Sequence, residues 1–440
     1  MTTPKELFAS VAQYDPNALP VEAAQDIVRQ WAMPRGADAP AERVSLHDAL
    51  GRVLAEHVIS PIDVPAFDNS AMDGYAFAAT AMTAVTAVTG GGATVELPVA
   101  GTAFAGRPFV ATSGGRECVR IMTGALMPPG CDTVVPQEQV TREGDTIRFA
   151  VTDIRAGQNR RLAGEDLAKG KPALAAGRIV RASDLGLLAS LGIGEVAVRK
   201  RLVVAFFSTG DELRSIGETL SAGSVYDSNR YTLFAMLRRL GVETLDLGIV
   251  RDDRASLETA LRHATHNADV VISSGGVSVG DADFTRDLLN SLGEVAFWKI
   301  AMRPGRPLAF GRLWSGERAG AGNSALFFGL PGNPVAVMAT FYFIVREALL
   351  AMSGAQRQAL TALRARAAEP MKKRAGRTEF QRGIATREAD GGWRVVTTGP
   401  QGSGVLSSMS EANCFIVLEH ARGDIDAGDD VEIVPFDGLI

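Results

Sequence analysis

Residues 244–283 read TLDLGIVRDDRASLETALRHATHNADVVISSGGVSVGDAD, and their alternation of textures decides the fold. TLDLGIV (244–250) is a short apolar run, RASLETALRHAT (254–265) carries its apolar residues at helical spacing, and DVVISSGG (269–276) is apolar again. Strands that are apolar throughout and alternate with amphipathic helices call for a parallel sheet covered on both faces. The same alternation continues outward. LVVAFF (202–207) precedes a helix over SNRYTLFAMLRRLG (228–241), and a helix over DADFTRDLLNSLG (281–293) precedes the strand-like EVAFWKI and LAFGRLW. LFFGLPGNP then opens a long apolar helix through Leu350, with Asn333 placed as its N-cap and Pro334 in its first turn. Residues 201–355 are therefore expected to form one α/β/α domain with a parallel-rich sheet.

The flanks have other textures. Apolar periodicity predicts helices over Val21–Trp31 and Val44–Val58, with a break at 34–41. Between 60 and 152, short runs such as VELPVAG, CVRIM, DTVVPQEQV and TIRFAV separated by Gly, Pro and Asp read as a β-rich module. A helix returns around Ser183–Leu191, with Ser183 as candidate N-cap and a glycine stop. After residue 360, TEFQRGIA, WRVVTTG, CFIVLEH and DDVEIVPF predict a small β-barrel or sandwich. No internal repeat is visible.

Composition narrows the function classes. The formal net charge of -5 speaks against a general nucleic-acid or anionic-membrane surface, which needs dense positive charge. Cys118, Cys131 and Cys414 are far apart and outside any CxxC spacing, so neither a disulfide framework nor a zinc site is expected. The N-terminus lacks a signal-type apolar core and no long uninterrupted apolar stretch is seen, so the expected location is cytoplasmic, with no membrane partner.

In an open parallel sheet, ligands bind beyond the carboxyl ends of the strands. The loops there read STGDEL, RDD, SSGGVSVGDAD and LPGNP. Ser274, Gly275, Gly276 and Gly280 could let the backbone approach an anion, or form an ordinary glycine-rich turn. The GxxxxGK[ST] and GxGxxG patterns are absent, which removes the main support for a P-loop NTPase or a dinucleotide dehydrogenase. Asp211, Glu212, Asp252, Asp253, Asp281 and Asp283 gather at strand ends. They are either ligands of a hard cation such as Mg2+ or helix N-caps, the cap reading suiting Asp281 better than Asp252 or Asp283. KIAMRPGRP adds Lys299, Arg303 and Arg306, a site for a phosphorylated or oxyanionic ligand or else a solvated basic turn. PAFDNSAMDGYAF (65–77) and GEDL (164–167) read only as polar loops by themselves.

Taken together, eleven strings in one order resemble the molybdopterin molybdotransferase family, which includes MoeA and the C-terminal catalytic domain of gephyrin. They are PAFDNSAMDGYAF, RIMTGALMPPGCDTVVPQE, GEDL, FFSTGDEL, VYDSNRY, GIVRDD, VVISSGGVSVGDADF, RPGRPLAFG, GLPGNPVAV, EFQRG and NCFIVLE. The resemblance implies a discontinuous first domain (1–58 and 153–200), an inserted β-rich domain (59–152), the α/β/α domain (201–355) and a C-terminal β-barrel (356–440). It implies a homodimer whose active sites lie between the α/β domain of one subunit and the β-rich domain of its partner. Molybdopterin adenylate and molybdate would be substrates, Mg2+ the required ion, and molybdenum cofactor with AMP the products. The adenylate would come from the adenylyltransferase of the same pathway. The residues carried over are Asp68, Thr123, Asp166, Glu212, Asp252 and Asp283 as catalytic, the last three also as metal ligands. Arg161, Ser274, Gly275, Gly276, Lys299, Arg303, Arg306, Pro331, Pro334 and Ser403 would bind substrate.

This chain has arginine at 303 and 306 where many members carry lysine, which keeps the charge but replaces a point charge with a planar fork. The spacer around Gly320 also looks long, which would lengthen a surface hairpin. A single-domain adenylyltransferase would share the SSGG loop but not residues 1–200 and 360–440. A non-catalytic scaffold should carry a long linker or extra binding segment, which is absent. Tungstate in place of molybdate stays open, the two oxyanions being nearly the same size.

Overall fold

The computed structural model describes residues 14–15, 17–32, 40–83, 93–111, 115–276, 283–316 and 322–436. They form two compact units. One contains the described parts of 1–55, 177–181 and 197–440, and the other contains those of 56–176 and 182–196.

The first unit is built on a six-stranded sheet. Helix α1 (Val21–Trp31) precedes it, followed in this unit by β7 (Val203–Thr209), α2 (Ser228–Arg239), β8 (Glu243–Val250), α3 (Arg254–Asn267), β9 (Val270–Ser274) and α4 (Asp283–Leu292). Then come β10 (Gly293–Lys299), β11 (Met302–Arg303), β12 (Pro307–Trp314), β13 (Ser324–Leu330) and α5 (Pro334–Thr340). The order across the sheet is β8-β7-β9-β13-β12-β10. The first four strands are mutually parallel, whereas β12 runs antiparallel to β13 and β10 antiparallel to β12. The sheet is thus parallel-rich but mixed, because β12 returns to β13 by a hairpin instead of through a helix. Phe206 and Phe207, like Phe327 and Phe328, point to opposite faces, since successive strand residues alternate. Phe206 and Phe328 join a core with Trp31, Leu233, Met236 and Phe341, and Phe207 and Phe327 join another with Leu257, Leu261 and Leu288.

The apolar helix after LPGNP runs Pro334–Met352, with a π turn over Phe341–Val345. It is long and apolar enough to suit a membrane span, but Thr340, Arg346 and Glu347 interrupt it, in keeping with the expected lack of a long uninterrupted apolar stretch, and 78% of it is buried inside the protein. Asn333 does occupy the N-cap position and Pro334 the first turn, yet the Asn333 side chain makes no cap bond. Instead the Val335 N–H donates to the Ser403 carbonyl, 3.1 Å away, tying the barrel to the helix start.

That barrel is formed by β14 (Leu363–Ala367), β15 (Thr378–Arg387), β16 (Trp393–Thr397), β17 (Cys414–Leu418) and β18 (Asp430–Pro435). It closes because β15 pairs with both β16 and β17, which selects the barrel over the sandwich. Strand β11, from the sheet unit, adds to β15 in parallel, with Arg303 opposite Glu379.

The second unit holds a curled six-stranded sheet. Its strands are β1 (Gly74–Phe77), β2 (Thr94–Ala103), β3 (Cys118–Ile121), β4 (Thr133–Pro136), β5 (Thr141–Glu143) and β6 (Thr146–Ala150), in the order β4-β1-β3-β2-β6-β5. Tyr75 and Phe77 face one apolar core and Ala76 another.

One expected element fails. Val44–Val58 is not a helix; a strand over Ala41–Ser45 passes into a single turn, Leu46–Ala49, capped by Ser45. The apolar residues there pair with distant segments, Val53 bridging Ile179 and Leu54 bridging Val198, so their spacing reports strand-like bridges instead of a helical face. Ser183 lies one residue inside its helix, Ala182–Ser190, and is therefore not the N-cap. Cys118, Cys131 and Cys414 are buried and form no disulfide with one another. Asp281, Gly280 and the spacer at Gly320 lie outside the described residues.

Candidate active site

The carboxyl ends of β8, β7, β9, β13 and β10 lie along one edge of the sheet, and a cavity of about 790 Å³ opens there. This is within the usual size of small-molecule sites. Its walls follow the strand order. Asp252 follows β8, Thr209, Gly210 and Glu212 lie at and beyond the end of β7, Ser274–Gly276 lie at and beyond the end of β9, Pro331–Asn333 follow β13, and Arg303–Pro307 link β10 to β12. The barrel closes the arginine end with Arg377, Gln401, Gly402 and Ser403. Acidic groups therefore sit at one end of the edge and arginines at the other. Five inter-strand steps separate β8 from β10, roughly 24 Å along the edge.

The acidic end has a defined geometry. Asp253, not Asp252, caps α3, accepting from the Ser256 N–H at 2.9 Å and the Ser256 hydroxyl at 2.7 Å. Asp252 is left to face the site, and its buried Oδ1 has no hydrogen-bond partner. Burial, first, and then the carboxylates of Asp211 and Glu212 push the Asp252 carboxyl above its ordinary range, against a smaller downward pull from the Thr209 hydroxyl. A carboxylate crowded by like charge, with one buried oxygen lacking a donor, suits a cation. Among the described residues, no three His, Cys, Asp or Glu side chains converge on one point. The side chain of Asp283 lies outside those described.

The centre is stitched by Asn229, at the start of α2. Its Nδ2 donates to the Ser274 hydroxyl at 2.8 Å and the Gly332 carbonyl at 2.6 Å, joining the loops after β9 and β13. The glycines of SSGG are required by packing. A Cβ on Gly275 would stand 2.2 Å from the Thr209 carbonyl oxygen, and both Gly275 and Gly276 have positive φ, at 88° and 68°. The Gly275 N–H donates to the Leu330 carbonyl at 3.1 Å, so at this amide the loop behaves as the ordinary glycine-rich turn and not as an anion donor, the two roles the sequence left open.

At the basic end, Arg303 is half exposed and its Nη1 stands 3.9 Å from Glu379. Arg377 donates from Nε to the same carboxylate at 2.8 Å. Behind them, the buried Arg382 holds the wall loop, donating to the Gln401, Gly402 and Pro400 carbonyls and the Ser408 hydroxyl. Burial, with Arg303 as a further like charge, lowers its pKa to about 10.

Of the residues singled out from sequence, Glu212, Asp252, Ser274, Gly275, Gly276, Arg303, Arg306, Pro331 and Ser403 line this cavity. Lys299 does not; it ends β10, where its carbonyl accepts the Leu19 N–H at 3.0 Å. Pro334 begins α5 and stands outside the lining. Asn229, Thr209, Arg377 and Gln401 were missed. Asn229 had a local signal in its place at a helix start after a sheet strand, whereas Arg377 and Gln401 belong to a barrel that only folding brings there.

Asp68, Thr123, Arg161 and Asp166 belong to the second unit. Asp68 is ion-paired with Arg160 and accepts the Ala163 N–H at 2.8 Å, and these two contacts, the Ala163 bond foremost, hold its carboxyl below the usual range. Thr123 donates both N–H and hydroxyl to Asp73 Oδ1 at 2.7 Å. Arg161 pairs with Asn69 across a two-residue ladder, while the exposed Asp166 donates its N–H to the Val64 carbonyl. Phe67, Met72 and Leu162 are exposed in the same loops.

Comparison with known proteins agrees over nearly the whole chain. Residues 19–192 match the MoeA N-terminal region (domain I and II), 205–351 the probable molybdopterin binding domain, and 364–436 the MoeA C-terminal region (domain IV). A molybdopterin molybdenumtransferase of Haemophilus influenzae is 44% identical over 91% of this chain and 95% of its own. One from a Nostoc species is 34% identical over 89% and 88%. The crystal structure of a molybdopterin biosynthesis MoeA protein from Pyrococcus horikoshii superposes with a TM-score of 0.77 at 28% identity, over 95% of this chain and 100% of that one. The order of domains, the fold and the sequence agree, and the chain belongs to the MoeA family of molybdopterin molybdenumtransferases, enzymes of molybdenum cofactor biosynthesis.

Proposed function

We propose that the cavity binds molybdopterin adenylate and molybdate, and that the chain joins molybdate to the pterin with release of AMP. The observation that carries this reading is the separation of charge along one sheet edge, with Asp252 and Glu212 at one end and Arg303, Arg306 and Arg377 at the other. An extended ligand with a phosphate link and an oxyanion needs such a two-ended site. The donor set fits Mg2+, a hard cation that prefers oxygen ligands, because Asp252 offers a buried oxygen without a donor. Glu212 and Asp252 would hold it, joined by Asp283 on the sequence reading. When bound, Mg2+ supplies positive charge to phosphate oxygens. The chain's own part is to orient the ends. The arginine forks hold oxyanion oxygens, and Asn229 keeps the two central loops in register beneath the ligand.

The reading includes a homodimer in which Asp68, Thr123, Arg161 and Asp166 of one subunit face the cavity of the other. Phe67, Met72 and Leu162, exposed in the same loops as these polar groups, support an interface there. The adenylate is the product of the preceding adenylyltransferase, and the location is cytoplasmic. The test is AMP release from purified adenylate on addition of molybdate or tungstate, with and without Mg2+. Release that depends on oxyanion and Mg2+ is expected; release indifferent to both overturns the reading.

A further inference from the structure

We infer that Glu379 is a positioning residue, a buried carboxylate that holds Arg377 and Arg303 in the orientation in which they meet an oxyanion. This rests on the reading of the cavity just given. Glu379 is 1% exposed and lies on β15, while its two partners come from different parts of the chain. Arg303 comes from β11, between sheet strands β10 and β12, and Arg377 from the lead-in to the barrel.

The bonding divides the carboxylate between them. Oε1 accepts from Arg377 Nε at 2.8 Å, with Nη2 in ion-pair contact at the same distance, and accepts the Arg374 N–H at 3.4 Å. Oε2 accepts from Gln381 Nε2 at 3.2 Å and faces Arg303 Nη1 at 3.9 Å. Arg377 therefore has one edge of its planar fork fixed and keeps Nη1 for another acceptor. Its backbone is fixed too, since the buried Lys373 ammonium donates to the Arg377 carbonyl at 2.8 Å. Arg303 is anchored by backbone pairing, residue opposite residue, with Glu379 itself.

Without the carboxylate, the guanidinium of Arg303 would meet the like charges of Arg377, which shares its partner, and of the buried Arg382. Long exposed side chains relieve such repulsion by swinging into solvent, so an incoming anion would have to draw them back. Glu379 supplies the neutralisation in advance, leaving the group cationic. Its action is on binding of the oxyanion and not on the acidic end, which lies across the sheet edge.

The experiment is calorimetric titration of the full-length protein with inorganic molybdate, and separately tungstate, beside steady-state AMP release and thermal unfolding. The variants are Glu379→Gln, Glu379→Asp, Arg377→Ala and the double Glu379→Gln/Arg377→Ala. Glu379→Gln is expected to weaken oxyanion binding and raise the molybdate KM about tenfold, the scale of one charge-assisted contact, with kcat within about twofold. In the Arg377→Ala background the same substitution should cost much less, because its main client is gone. Glu379→Asp keeps the charge, shortens the reach by one methylene and should fall between; it carries the test if the glutamine variant fails to fold. Unchanged molybdate affinity in both Glu379 variants, or an undiminished effect in the Arg377→Ala background, overturns the inference. So does a parent protein that binds neither oxyanion. If oxyanion binding shifts as expected while the parent releases no AMP, the catalytic reading fails and the positioning role stands.

Discussion

Asp252→Asn separates what the site does from what holds the fold. Asp252 has a buried Oδ1 with no donor, and burial with the neighbouring Asp211 and Glu212 raises its carboxyl above the ordinary value. A folded-state pKa above the unfolded one means that this carboxyl favours the fold when protonated, below the unfolded pKa, and that the benefit is lost as pH rises through the folded pKa. At neutral pH its ionised form therefore opposes folding. Asparagine keeps the volume and one carbonyl oxygen, removes the charge and relieves the crowding. An unpaired buried polar group costs about 1–3 kcal/mol, so recovering a part of it, about 1 kcal/mol, should raise the Tm by about 1–3 °C at pH 7.5. That advantage should shrink at acid pH, as the parent carboxyl itself takes up a proton. Activity should move the other way. If this carboxylate carries about 3 kcal/mol of charge stabilisation during cleavage, AMP release falls by at least about a hundredfold. The assay is single-turnover AMP formation across a Mg2+ titration, alongside thermal unfolding at both pH values. Near-parental cleavage would remove Asp252 from the catalytic set, and a lower Tm at pH 7.5 would refute the view that its charge is uncompensated.

Three further outcomes follow from the same geometry. Co-expressed Asp68→Ala and Asp252→Asn subunits, each inactive alone, should recover about a quarter of parental activity, since half the dimers are mixed and each mixed dimer has one intact site; no recovery would show that each site lies within one subunit. Arg303→Ala should weaken use of molybdate more than Arg303→Lys, because one loses charge and the other only fork geometry, and equal KM values would exclude contact between this side chain and the oxyanion. Asp68 has a depressed carboxyl pKa, so its stabilising contribution is present above the unfolded value and lost as pH falls through the folded one. Asp68→Asn should accordingly lower the Tm at neutral pH and converge with the parent under acid, and curves that stay parallel would argue against the Arg160 and Ala163 contacts as its stabilisers.

The α/β core was legible in the chain because its signals are local. An apolar run of strand length and a helical period report which faces are buried, whatever the neighbours, and β7, α2, β8, α3 and β9 lie within two residues of where periodicity put them at each end. The loops at the strand ends were legible for the same reason, since parallel strands deliver their carboxyl ends to one edge, and Glu212, Asp252, Ser274 and Pro331 duly share one cavity. Between two adjacent aspartates, sequence left open which caps the helix. The structure resolves this through the reach of Asp253 to Ser256, freeing Asp252. The failures are non-local. Val44–Val58 carries apolar residues at a spacing that fits a helix, but Leu54 and Val53 find bridging partners more than a hundred residues away. Nothing in GRTEF distinguishes Arg377 and Glu379 from a solvated turn, because their meaning depends on β15 pairing with β11, a contact between segments some seventy residues apart. Periodicity records which side of an element is buried. What stands opposite that side is decided by tertiary packing alone, and here it is packing that turns three separated arginines and one buried glutamate into the basic end of a site.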